Sequence, residues 1–141
     1  MIHFERGDIY MYASGGEIGH EVWGNRPVIV LSPQHVIDKY NVVCIVPLST
    51  TIRQGKEHAI IKSSKYTSVA LCEQIKAVDV GRLTEYLGEI TQEELEAIEQ
   101  SIHAVTGIEK DNQQELRIQL DMYKKLYDDL LTRLCTQQRE E

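Results

Sequence analysis

Pro27-Val28-Ile29-Val30-Leu31 is an unbroken apolar run with three successive residues branched at Cβ. Such branching restricts the side-chain torsion and suits the pleated backbone of a strand. No polar residue alternates with the apolar ones, so the strand must be covered on both faces. Asn41-Val42-Val43-Cys44-Ile45-Val46-Pro47 repeats the pattern. Outward from this pair, Asp8 to Tyr12 reads as a strand, followed by a glycine-rich loop from Ala13 to Arg26. On the other side come a polar loop, Leu48 to Glu57, and strands at His58 to Lys62, Ser68 to Glu73 and Tyr86 to Ile90. Many short strands at small spacing predict a curled sheet or barrel rather than a parallel α/β fold, so the fold class is mainly β (α+β).

The period changes at Thr91. Thr91-Gln92-Glu93-Glu94 fits a capping box, in which the Thr hydroxyl and the Glu carboxylate each accept from the other's backbone N–H. Leu95, Ile98, Ile102 and Val105 then recur at helical spacing, and Gly107 ends the helix. From Asp111 to about Arg139 there is no Pro or Gly, and Leu116, Leu120, Tyr123, Tyr127, Leu130 and Leu134 alternate steps of four and three. That is a heptad seam on a long helix, which requires a partner surface: its own domain, or a second copy in a coiled coil. The expected organisation is a barrel domain over 1–107 and an appended helix over 111–139.

The chain of 141 residues is long enough for one sizeable core. Met1-Ile2-His3-Phe4-Glu5-Arg6 lacks the basic and apolar regions of a secretory signal, and no apolar run reaches membrane-spanning length, so a soluble cytoplasmic protein is expected. Cys44, Cys72 and Cys135 are odd in number and widely spaced, which predicts free thiols with Cys44 in the core and no structural metal. The formal charge of −7 argues against a nucleic-acid partner until it is counted by segment. Residues 1–88 hold nine Lys/Arg and nine Asp/Glu, whereas residues 89–141 hold six and thirteen. The first part is neutral, and the acidity belongs to the C-terminal part.

Four motifs stand in a fixed order: Arg6-Gly7-Asp8-Ile9-Tyr10; Gly19-His20-Glu21 leading to Arg26-Pro27 and the apolar strand; Val46-Pro47-Leu48-Ser49-Thr50; and Glu73-Gln74-Ile75-Lys76-Ala77-Val78-Asp79 with Arg82-Leu83 following. In this order they resemble the MazF/PemK family of endoribonuclease toxins over residues 6–105. The resemblance implies a small SH3-like, PemK-type barrel of antiparallel strands, a homodimer, and no cofactor. It also implies metal-independent cleavage of single-stranded RNA through the ribose 2′-hydroxyl, and neutralisation by a cognate protein antitoxin, with DNA contacted only through such an antitoxin complex. Residues 111–141 lie outside it.

That chemistry needs a group to accept the 2′ proton, one to stabilise charge on phosphorus and one to protonate the leaving oxygen. Arg26 suits charge stabilisation, because its planar guanidinium bridges two oxygens and stays protonated; the other reading is an arginine pinning its loop. One of Ser49 and Thr50 falls on the family's catalytic hydroxyl position, with Ser49 preferred because it sits two residues after Pro47; the other reading is a turn residue bonding its own backbone. His20 is a proton shuttle, as in the Kid/PemK branch, or a solvated loop residue. Glu73 aligns with that branch's proposed base and would pair with His20 or Arg26, or else balance Lys76. The branch's arginine two residues before the acid is replaced by Leu71. Gln74 and Asp79 are expected to shape the RNA groove or the dimer edge. Glu21 belongs to the same RNA-binding loop, and Trp23 either stacks on an unpaired base or anchors the loop on the core. Val22 and Trp23 depart from the Gln common after the loop's Glu. A different class of function also fits: an inactive or self-shielded member that acts as a protein-interaction module through its acidic C-terminal helix.

Overall fold

The computed structural model describes residues 3–52, 55–108 and 112–140. Seven strands form one antiparallel sheet: β1 (Asp8–Tyr12), β2 (Arg26–Val30), β3 (Val42–Ser49), β4 (His58–Ile61), β5 (Ser68–Leu71), β6 (Lys76–Asp79) and β7 (Leu83–Glu89). Their order is β4-β5-β3-β2-β1-β7, with β6 also paired to β3. β3 organises this arrangement because it is long enough to serve two partners along one edge. Its first half, Val42 to Ile45, pairs with β6; its last residues, Leu48 and Ser49, pair with β5.

Both faces of the central strands are buried, which is what the apolar runs require. Val28, Ile29 and Val30 have no exposed surface. Alternation across β2 sends Ile29 into one core with Ile9, Val46, Ile61 and Cys72, and Val28 and Val30 into a second core with Tyr10, Tyr12, Val43 and Ile45. The helix α2 (Gln92–Thr106) closes the first core through Leu95 and Ile98. Its capping box is formed at both ends, with Thr91 Oγ1 accepting from Glu94 N and Glu94 Oε1 from Thr91 N, and Gly107 takes the left-handed C-cap conformation at φ 70°. Burying Ile98 completely stabilises the domain by about 2 kcal/mol.

Three features depart from the sequence reading. A short helix, α1 (Gln34–Tyr40), precedes β3, and β6 occupies the stretch after Gln74. The last strand starts at Leu83, not Tyr86, because Tyr12 pairs with Leu83 across a ladder containing two register shifts. All three cysteines are free, but the fully buried thiol is Cys72; Cys44 is half-buried beside the first core. Burial pushes the Cys72 thiol up to about 12, although a Ser101 hydrogen bond works in the other direction.

The chain divides into two compact units, Met1–Ile108 and Glu109–Glu141. In the second, α3 (Asn112–Glu140) is one uninterrupted helix of 29 residues, about 40 Å long at 1.5 Å per residue. Its seam residues Leu116, Leu120, Tyr123, Tyr127, Leu130 and Leu134 are exposed. Counted over its own span, α3 holds five Lys/Arg and five Asp/Glu, so the C-terminal acid excess lies outside this helix. Among the described residues, no helix is long and apolar enough to cross a membrane.

Candidate active site

Arg26 opens β2 directly opposite Tyr12 of β1. On its other side β2 pairs with β3, with Val28 opposite Pro47, and the Arg26 side chain reaches the carbonyl of Leu48, the residue before Ser49. The guanidinium is half-buried and holds two carbonyls, donating from Nη1 to Leu48 O at 3.3 Å and from Nη2 to Trp23 O at 2.8 Å. Its Nε is buried without a partner among the described residues. Burial lowers the Arg26 pKa, but from so high a starting value that the group stays charged. Ser49 Oγ accepts from Thr51 N at 3.2 Å, the local turn bond; among the described residues its own O–H donates to none. Thr50 is exposed next to it.

Tyr12 is the centre of a cationic seat. Lys76 Nζ lies 4.6 Å from the centre of its ring, and Arg82 Nη1 donates to its hydroxyl at 3.1 Å. The Tyr12 hydroxyl in turn donates to Glu17 Oε1 at 3.0 Å, and Lys76 Nζ lies 3.3 Å from the same oxygen. Burial alone would raise the Glu17 pKa; hydrogen bonds from the backbone around Gly15 and Glu17 and from the Ser14 and Tyr12 hydroxyls instead bring it down to about 2. Arg82 also donates to Gly15 O at 2.8 Å, and Ser14 Oγ accepts from Gly24 N at 2.8 Å. The start of the glycine-rich loop is therefore tied to Arg82, and its two ends are tied to each other. Arg26, Lys76 and Arg82 gather positive charge here in a chain whose net charge is −7.

The loop tip is held differently. Gln74 Oε1 accepts from Val22 N at 3.2 Å, and its Nε2 donates to His20 O at 3.4 Å. The His20 side chain projects outward, exposed. The Glu21 carboxylate accepts from Ile18 N and closes the loop on itself. Trp23 is 74% exposed, so it does not anchor the loop on the core. A shallow cavity of about 280 Å³ lies among Glu17, Gly19, Glu21 and Trp23.

The expected set is thus divided. Arg26 reaches the carbonyl next to Ser49, with His20 on the loop that leads into Arg26. Glu73 pairs with neither His20, Arg26 nor Lys76. β5 ends at Leu71, and the 3-10 turn Cys72–Gln74 carries Glu73 to the start of β4, where its Oε2 lies 2.9 Å from His58 Nε2. Lys76, which β6 sets opposite Ile45, takes Glu17 instead. Asp79 is exposed opposite Val42, where its carboxylate accepts from Gly81 N at 2.8 Å and caps a 3-10 turn. Leu71, standing where the related branch has arginine, is 2% exposed and belongs to the sheet core. Tyr12, Glu17, Lys76 and Arg82 were not singled out by sequence, although Lys76 and Arg82 lie in the quoted motif. Nothing local marks Glu17, whose partner Lys76 is 59 residues away.

The family model for the PemK-like, MazF-like toxin of type II toxin-antitoxin systems matches residues 5–106. The chain belongs to this family. It is 32% identical over 110 residues to the Endoribonuclease MazF of Staphylococcus saprophyticus, covering 73% of this chain and 91% of that one. The crystal structure of MazF (Form-I) from Deinococcus radiodurans superposes with a TM-score of 0.70 at 19% identity, covering 77% of this chain and all of that one. A MazE-MazF crystal structure (Form-II) from the same organism gives 0.65 at 19% identity, again over 77% of this chain and 100% of that one. The barrel of this PemK-like chain is accordingly the MazF fold, and the match ends where α2 ends, before α3.

Proposed function

We propose that this family member is an endoribonuclease toxin that cleaves single-stranded RNA in the cytoplasm, without a metal, by attack of the ribose 2′-hydroxyl, and that a protein antitoxin neutralises it. The observation that carries the reading is the Arg26 guanidinium bonded to the carbonyl of Leu48, the residue before Ser49, with Tyr12 and its Lys76–Arg82 seat opposite Arg26. The relative from S. saprophyticus is named an endoribonuclease, and the D. radiodurans MazF is complexed with MazE; both support the reading. Arg26 stabilises the charge that builds on phosphorus through the solvent-facing part of its half-buried guanidinium. The Ser49 hydroxyl orients a second oxygen, with Thr50 beside it. His20, exposed on the loop that leads into Arg26, supplies an imidazole to shuttle a proton. Glu73 acts at most through its contact with His58. Trp23 offers a bare indole face to an unpaired base, and Gln74 keeps the loop that carries it in place. Glu21 shapes the turn between them. The protein works as a homodimer, as the family resemblance implies.

The reading of a self-shielded module draws less support, because α3 is charge-balanced and offers no excess of carboxylates to occupy a phosphate groove. One assay separates the two. Full-length protein and a chain cut after Gly107 are incubated with a long single-stranded RNA in EDTA. Cleavage by both, leaving 2′,3′-cyclic phosphate ends, is expected. Two folded but inactive proteins would remove the ribonuclease reading, and activity in the cut chain alone would establish shielding. Arg26→Ala should lower the cleavage rate by about 100-fold or more, the cost typical of deleting a transition-state charge donor, with the melting transition retained. Unchanged cleavage would refute the assigned role.

A further inference from the structure

The exposed seam of α3 is wider than six residues. Leu126 and Leu131 flank it on either side, and together these eight apolar side chains, 43–73% exposed, cover an arc of about 140° at 100° per residue. A continuous apolar stripe of this kind is unstable in water unless another surface covers it. The charges on the rest of the helix indicate what that surface is. Arg117 and Asp121, Lys124 and Asp128, and Lys125 and Asp129 each stand four residues apart, where opposite charges neutralise one another along one helix. The charges outside these pairs, Glu115 with Arg133 and Arg139 with Glu140, also sum to zero, so the helix has no net charge to attract a partner of one sign. The complement that remains is the same stripe on a second copy.

The geometry points to α3 pairing with α3 of a second copy of this chain as a parallel, in-register coiled coil. Leu116, Tyr123 and Leu130 then occupy the d positions, and Leu120, Tyr127 and Leu134 the a positions. The flanking positions select the direction. In the parallel arrangement Leu126 meets Leu131 of the second copy, and Lys124 meets Gln119. An antiparallel pairing of the same seam would set Lys124 against Lys124 at its midpoint. Eight such side chains, each offering roughly 100 Å², amount to about 800 Å² per helix, the burial each partner contributes to a stable interface. Because the family match ends at residue 106, this contact is separate from whatever joins the barrels.

Site-specific disulfide trapping tests it on the full chain, with Cys135→Ser removing the exposed thiol of α3. Leu130→Cys, at a d position, is expected to convert most of the protein to a two-chain species under mild oxidation. Lys125→Cys, on the outer face, is expected to remain monomeric on a non-reducing gel. Adding Leu120→Glu to Leu130→Cys should reduce the cross-linked fraction at least tenfold while RNA cleavage is unchanged. Absence of cross-linking at position 130, equal cross-linking at 125, or trapping only between Leu116→Cys and Leu134→Cys chains would each overturn the parallel pairing. Cross-linking that survives Leu120→Glu would overturn it as well.

Discussion

Glu17 is the residue on which the loop's anchorage converges, since its carboxylate meets the Tyr12 and Ser14 hydroxyls and the Lys76 ammonium. Its pKa of about 2 lies below the ordinary carboxylate value of 4.5. The folded state therefore binds the proton less readily than the unfolded chain, and stability due to this group is complete above the ordinary value. It is lost as pH falls from 4.5 towards 2. Trp23 is the chain's single tryptophan and sits on the same loop, so its emission reports the event. The wild type should show an emission change in that acid window, whereas Glu17→Gln should display the acid-side spectrum already at neutral pH. Superimposable titrations would remove the anchoring role. This cluster was not legible in the sequence because its partners come from β1, β6 and the turn before β7. Arg26 and Ser49, by contrast, were legible, because each sits inside a local motif at a strand end.

At the scale of elements, what sequence revealed is what burial or local chemistry dictates. Runs with both faces buried have to be apolar throughout, so β2 and β3 could be read directly. The Thr91–Glu94 box could be read because all its partners lie within four residues. α1 left no such trace: Ile37 is its one buried residue, too little for a helical period. β6 is four residues long with only Val78 buried, too short for alternation to register. The pairing of Glu73 with His58 depends on β4 lying beside β5, with His58 opposite Leu71, a register no single segment encodes. The dependence of the first core on α2 gives a prediction here. Ile98→Ala removes a fully buried side chain and should destabilise the barrel by about 2–5 kcal/mol in urea unfolding. A change below about 1 kcal/mol would mean that α2 is not an integral layer of the core.

At the scale of the molecule, the barrel and α3 are separate compact units, so the barrel should not need α3 to fold. A chain ending at Gly107 is expected to melt cooperatively, with a midpoint within a few degrees of the full chain at low concentration. A loss of the transition would show that the appended helix is part of the folding unit. Within the barrel, charge is distributed unevenly. Residues 89–108 carry five glutamates and neither Lys nor Arg, and α2, which holds four of them, covers the first core. Arg26, Lys76 and Arg82 gather around Tyr12 on the side of the second core. Lys76 is offset there by Glu17, whereas Arg26 and Arg82 bond neutral carbonyl and hydroxyl oxygens and are cancelled by no carboxylate among the described residues. A polyanion diffusing towards the site is drawn by the field of those two charges before any contact. Raising the ionic strength shortens the reach of that field, so it would slow the encounter while leaving the chemistry at the bound phosphate unaltered.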